Sequence, residues 1–279
     1  AATSESQDAR RQFDSAFFGH VGYTISNAVR SLVLGLTGGR VSRAPVSGPT
    51  ARWYKRINRL TANFTLIADA TLLILGGKFK FAESLSGRFA DALSHLYMAS
   101  CTLKRFEDDG RPDADLAMVE WALADSLHRV EEALHGVLAN FPSPAAASLL
   151  KVICFPFGRG HAPAGDRTAR KLARILMSNN ESRDRLIHDT FVPEDDVGTA
   201  MAVKAFGAVL AAEEAERTVV NGMKKQPTPA NVEQLTADAV AAGIITEEQQ
   251  KLLIEAQRLS AEVIAVDEFD ADSLTHAQF

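Results

Sequence analysis

Apolar residues recur along this chain at three- and four-residue steps and almost nowhere in strict alternation, which predicts a protein made of helices with scarce strand signal. The clearest stretch runs over residues 81–106. There Leu85, Phe89, Ala92, Leu96, Leu103 and Phe106 form one seam, with a gap near Ala99. A turn follows at EDDGRPDAD, where Gly110 breaks the helix and Pro112 suits a first helical position. Leu116, Val119, Leu123, Leu127, Val130, Leu134 and Val137 then make the matching seam of the next helix, which Pro142 and Pro144 end.

Two helices precede that pair. The first covers about residues 8–36, with a break expected near Gly19 and Gly22 and a stop at Gly38-Gly39. The loop RVSRAPVSGP separates it from a helix over about 50–75. Leu60, Phe64, Ile67, Thr71, Leu72 and Leu75 line one face of that helix. Leu66, Ala70, Leu73 and Ile74 cover much of the remainder, a distribution expected of a central buried helix. Short connections imply antiparallel neighbours, so residues 1–142 are expected to form an up-and-down four-helix bundle.

After Pro144 the helices shorten and the loops lengthen: about 145–153, 166–177, 181–190 and 198–223. A final pair begins at Thr228-Pro229, with Gly243 closing one helix and Thr246 with Gln249 reading as the capping box of the other, which runs to about Val266. Residues 143–279 are therefore expected to be a smaller helical subdomain ending in the acidic tail VDEFDADSLTHAQF. The fold class is all-α, a bundle followed by a smaller helical subdomain.

Composition narrows the functions. Of 279 residues, 46% are hydrophobic and 23% charged, ordinary for a globular protein. A net charge of −5 argues against nucleic acid as a partner. The 2 cysteines, Cys101 and Cys154, are far apart and have no metal-ligand spacing, so both are expected to be small buried hydrophobes in a reducing compartment. No apolar run is read as long enough to span a bilayer. The polar start AATSESQDARRQF has no signal-peptide core and no initial Met, which reads as a piece of a longer chain.

The stretch CFPFGRGHAPAGDRTARKLARILM poses the main chemical question. Gly160 and Gly165 have the spacing of a phosphate-binding loop. Asp166, however, stands where the lysine must be, and Pro163 removes an amide donor. Asp166 reads better as the cap of the helix that follows. Arg159, Arg167, Arg170, Lys171 and Arg174, with His161, leave open a weaker anion contact or the docking of an acidic partner. The plainer reading is a solvated basic face.

Other candidates carry a bland reading beside a sharp one. Glu132 and His135 form an ExxH, but no second ExxH completes a di-metal set, and Leu134 is the seam residue. His128 and Glu131 read as surface neighbours. Asp69, inside the most apolar helix, is either a base or a structural acid needing a partner such as an arginine. His95, Tyr97 and Cys101 share helical spacing and read as packing. Lys78, Phe79, Lys80 and Phe81 alternate cations and rings, which suits either an interfacial membrane anchor or a tight turn whose phenylalanines enter the core.

Five segments taken together resemble the C-terminal region of bacterial FadE-type fatty acyl-CoA dehydrogenases, of the acyl-CoA dehydrogenase family. They are FDSAFFGHVGYTISNAVRSLVLGLTGG, ADATLLILGGKFKFAESLSGRFADALSHLYMASCTLKRFEDDGR, HRVEEALHGVLANFP, VICFPFGRGHAPAGD and VIAVDEFD. The resemblance spans about residues 11–270. It implies an oxidoreductase in which FAD lies in preceding catalytic domains and a fatty acyl-CoA becomes a trans-2-enoyl-CoA, the first step of β-oxidation. No segment here matches the family's catalytic glutamate loop or its β-domain, so no catalytic, FAD-binding or metal-binding residue is assigned. The resemblance implies an accessory helical domain, without flavin or dehydrogenase activity of its own. Its partners would be the catalytic domains of the same polypeptide, a second copy in a homodimer, or the inner-membrane surface from the cytoplasmic side. The competing expectation is an independent helical scaffold that recruits another β-oxidation protein through residues 167–174.

Overall fold

The computed structural model describes residues 2–194 and 198–265, with side chains described from Asp8 onward; among them the secondary structure is helical, with no strand. Six helices come first: α1 Ala2–Leu36, α2 Ala51–Leu75, α3 Glu83–Asp108, α4 Leu116–Ala139, α5 Pro144–Cys154 and α6 Asp166–Leu176. Then follow α7 Glu181–Ile187, α8 Thr199–Met223, α9 Val232–Ala241 and α10 Glu247–Ile264. The all-α class is as expected. The acidic tail from Val266 lies outside the described residues. The chain divides into two compact units, Ala1–Met177 and Ser178–Phe279. The division thus falls after α6 and not at Pro142, because α5 packs on α1 and α4, and α6 packs on α4.

In the first unit α3 and α4 share the most extensive helix–helix contact. Every seam residue expected of α3 is buried, and Ala99 fills the apparent gap as a small buried residue. On α4, Leu123, Leu127, Val130, Leu134 and Val137 are wholly enclosed, while Leu116 is only partly buried. Each fully enclosed leucine contributes about 1.5–3 kcal/mol relative to an exposed one.

α2 lies against both of these helices through Trp53, Ile57, Leu60, Leu66 and Ile67. Its C-terminal end departs from the fully buried helix expected: Leu72, Leu73 and Ile74 are exposed. Nor does the expectation that no stretch reaches bilayer length hold. Residues 51–81, α2 with the 3-10 turn Gly76–Phe81, contain an 18-residue window of mean hydropathy 1.5, of which 33% is buried in the protein. By length and composition this segment is long and apolar enough to cross a membrane. Its contacts with α1, α3 and α4 account for it as a core helix with one bare end.

α1 is continuous, without the expected break. Gly19 and Gly22 sit in open surroundings, and two glycines cost a helix only about 1 kcal/mol each. It packs on α2 and α5. Its buried positions are Asn27, Ser31, Leu34 and Gly35, with Thr24 and Ala28 half-buried beside them. Gly35 permits the close approach: a Cβ there would stand 2.9 Å from Pro156 Cδ. The opposite face carries Phe18, Val21, Ile25, Val29, Leu32 and Leu36, all 36–68% exposed. These residues fall at steps of three and four, so they form one stripe. The helix is amphipathic with its apolar side outward.

The second unit has its own core. Ala212, Ala215 and Val219 of α8 meet Val232, Leu235 and Ala239 of α9 and Leu253 and Ala256 of α10. Small side chains on α8 let the backbones approach closely. The Thr246–Gln249 capping box is formed, as its spacing indicates. α9 begins three residues after Thr228-Pro229, with Asn231 Oδ1 accepting from the Thr228 amide at 2.7 Å.

Candidate functional site

The glycine loop between α5 and α6 does hold an anion, and the anion is the protein's own. Glu131 sits on the inward arc of α4, four residues after Leu127 and three before Leu134, and is 0% exposed. Its Oε2 accepts from the amides of Gly160 and His161, both at 2.8 Å. His161 Nδ1 lies 2.8 Å from Oε1, and Arg59 Nη2 of α2 lies 3.9 Å from the same oxygen. His128 Nδ1, one turn before Glu131, donates to the His161 carbonyl at 3.0 Å, which fixes its tautomer. A Cβ at position 160 would stand 3.2 Å from Arg59 Nη1, a tight contact that glycine avoids where the loop folds over the carboxylate.

Burial pushes the Glu131 carboxyl up. The His161 imidazole and the two loop amides outweigh it and hold the group below the usual carboxylate range. A buried carboxylate held by two amides and an imidazole and reluctant to take a proton is a poor general base. Its work is structural: it ties α4, α2 and the loop together. The expectation that His128 and Glu131 are surface neighbours is therefore corrected. A spacing rule that includes polar residues in the seam would have found Glu131, since it falls at an enclosed position of α4.

Arg59 is also part of the floor of a cleft. Arg52, Lys55, Arg56 and Arg59 project from one face of α2, and Arg40 joins them from the loop after α1. With Leu36, Thr37, Gly38, Val41, Gly160 and His161 they surround about 760 Å³, and no Asp, Glu, Phe, Tyr or Trp is in the lining. Arg52 pairs with Glu120. The Arg56 guanidinium lies 4.8 Å from the Trp53 ring centroid; burial, then its neighbours Arg52 and Arg59, lower its proton affinity. The sequence-based reading missed these five cations, because they are spread over residues 40–59 among apolar residues and make no run.

The sequence candidates are placed as follows. In α6, Arg167, Arg170, Lys171 and Arg174 are exposed. Arg159 instead lines a separate recess of about 540 Å³ with Lys151, His135 and Glu132. Asp166 is the first residue of α6 and supplies no side-chain cap; Gly165 occupies the capping position. His135 lies against Phe155 with the rings tilted by 36° and their centroids 4.4 Å apart. Burial, then Arg159, lowers its pKa, with Lys151 adding to the effect and Glu131 opposing it. Glu132 is exposed, and no cluster of three metal-ligating side chains occurs among the described residues.

Asp69 finds its partners on α1, not in an arginine. Thr24 Oγ1 donates to it at 2.8 Å, and His20 Nε2 stands 3.8 Å away. Tyr97 and Cys101 are exposed and His95 is half-buried. The expectation of two buried cysteines thus holds only for Cys154, whose thiol is pushed up to about 12 by burial. In the 3-10 turn the two rings part company. Phe79 packs edge-on to Phe89 at 5.9 Å, whereas Phe81 is 75% exposed with Lys80 Nζ 4.8 Å from its ring centroid. Lys78 is exposed.

Comparison with known proteins adds a family. The model described as acyl-CoA dehydrogenase, C-terminal, bacterial type, matches residues 1–269. No solved structure matches the chain.

Proposed function

The chain belongs to the bacterial-type acyl-CoA dehydrogenase C-terminal family, and from that premise we propose that it is the accessory helical domain of a flavin-dependent enzyme that oxidises fatty acyl-CoA to trans-2-enoyl-CoA in the first step of β-oxidation. Its task is to dock against the catalytic domains of the same polypeptide. FAD and the reacting carbons belong to those domains, and no residue of this chain is given a part in hydride or proton transfer. The outward apolar stripe of α1 carries the reading. A helix that turns Phe18, Ile25, Val29 and Leu36 to solvent and Asn27 and Ser31 to the bundle has an unpaid hydrophobic face, and such faces mark interfaces.

Sedimentation velocity of the chain mixed with the catalytic flavoprotein portion of such an enzyme tests this. The expected result is a complex that Ile25→Ser with Val29→Ser weakens at least tenfold. Two components sedimenting independently would overturn it, and self-association alone would assign the stripe to a second copy of the chain.

A second reading, compatible with the first, is attachment to the inner-membrane surface through Lys78, Lys80 and Phe81. It is favoured by the bare ring of Phe81 beside Lys80 and by the exposed Leu72, Leu73 and Ile74 that end α2. Phe79 is left out of it, since that ring is half-buried against Phe89. Co-sedimentation with phosphatidylglycerol vesicles should fall on Phe81→Ser; undiminished binding removes the turn from the contact.

A further inference from the structure

We propose that the basic cleft between α2 and the loop after α1 binds a small soluble phosphate-bearing anion, a diphosphate or a phosphate ester. This inference does not depend on the docking role. Positions 52, 55, 56 and 59 lie within one arc of α2, so four cations face the same space, and Arg40 closes it from the loop. Like charges so placed repel one another. They also stand on the first turns of a helix with no acidic residue in its first turn, where the backbone dipole is already positive. A fold tolerates such a cluster when an anion completes it.

The protein's own acids do not complete it. Glu120 meets Arg52, and Glu131, already engaged by His161 and two amides, stands near Arg59. Among the described residues no carboxylate forms an ion pair with Arg40, Lys55 or Arg56. The Lys55 ammonium reaches only the Arg40 carbonyl, at 3.2 Å. Arg59 is 8% exposed, and its Nε has no hydrogen-bond partner. Guanidinium groups match phosphate oxygens in pairs, and an ammonium adds a point charge.

The space exceeds that of a lone phosphate. Leu36 and Val41 give its wall an apolar part against which an organic body can rest. The wall has none of the exposed rings that would lie among lipid headgroups, which favours a soluble ligand over a membrane surface.

Isothermal titration of the full chain with inorganic pyrophosphate is the test, with inorganic phosphate and phosphatidylglycerol vesicles as parallel arms. Pyrophosphate should bind more tightly than phosphate and weaken as salt rises. Lys55→Gln and, separately, Arg40→Gln should each weaken it at least fivefold without altering the circular dichroism. Arg40 is exposed and Lys55 half-buried, and neither belongs to the hydrophobic core, so loss of fold does not confuse the result. Arg167→Gln with Arg170→Gln on α6 should leave binding unchanged. Absence of heat with pyrophosphate, or equal loss in the α6 variant, overturns the proposal. Binding to vesicles alone, with none to either soluble anion, also overturns it and assigns the cations to lipid headgroups.

Discussion

α4 and α1 are both amphipathic, and they use their apolar sides in opposite ways. The seam of α4, from Leu123 to Val137, is enclosed by α2, α3 and α5. The stripe of α1, with the same three- and four-residue steps, faces away from the bundle, while Asn27, Ser31 and Gly35 face in. The pattern that defines a helix therefore does not say which side the fold claims. The same contrast applies to charge. Glu131 sits inside the seam, held by groups from the glycine loop and α2, whereas the cations of α2 line an open cleft with few acids to meet them.

The largest effect that would sharpen this comparison is expected from Glu131→Ala. It leaves Arg59, His161 and two loop amides without their anion and should cost about 3–5 kcal/mol. Urea unfolding followed by fluorescence reads it well, because Trp53 and Trp121 both lie in the first unit. A loss below about 1 kcal/mol would mean that the loop finds water as readily as the carboxylate. Next comes Leu127→Ala in the seam, expected to cost about 2–5 kcal/mol by the same measurement. The matched change on α1, Val29→Ala, should stay within about 0.5 kcal/mol. Equal costs would break the comparison and place the stripe of α1 in the folded core.

Gly160→Ala follows, at about 1–3 kcal/mol, since its methyl carbon would press on Arg59 Nη1 at 3.2 Å. The smallest effect is in pH. Glu131 binds its proton less readily in the folded state than in the unfolded one, so as pH falls the unfolded chain takes up that proton first. Its contribution is full above the usual carboxylate range and disappears as pH drops through the lower folded value. His135 behaves in the same sense one window higher, the loss beginning as pH falls through the usual imidazole range, because its folded form also resists the proton. Stability should therefore fall in two steps on acidification. Glu131→Gln should flatten the lower step and leave the upper one; an unchanged lower step would remove Glu131 as its source.

Much of the architecture was legible in the sequence. The α3 and α4 seams, the stop at Gly38-Gly39 and the Thr246 capping box each depend on a few residues close in the chain, and each forms as its local pattern requires. The site was not. His161 and Glu131 are thirty positions apart and Arg59 lies farther still, so no motif joins them; only the packing of α2 on α4 and the return of the glycine loop bring them together.

The chain's sequence by itself determined that it is helical, where most helices begin and end, and which side of each is apolar, because backbone propensity and side-chain period act within a few residues. Tertiary structure alone decided which apolar sides are enclosed, that the loop's anion is Glu131, and that five scattered cations share one cleft. Burial and ion pairing depend on distances across helices, and those are set only when the helices pack.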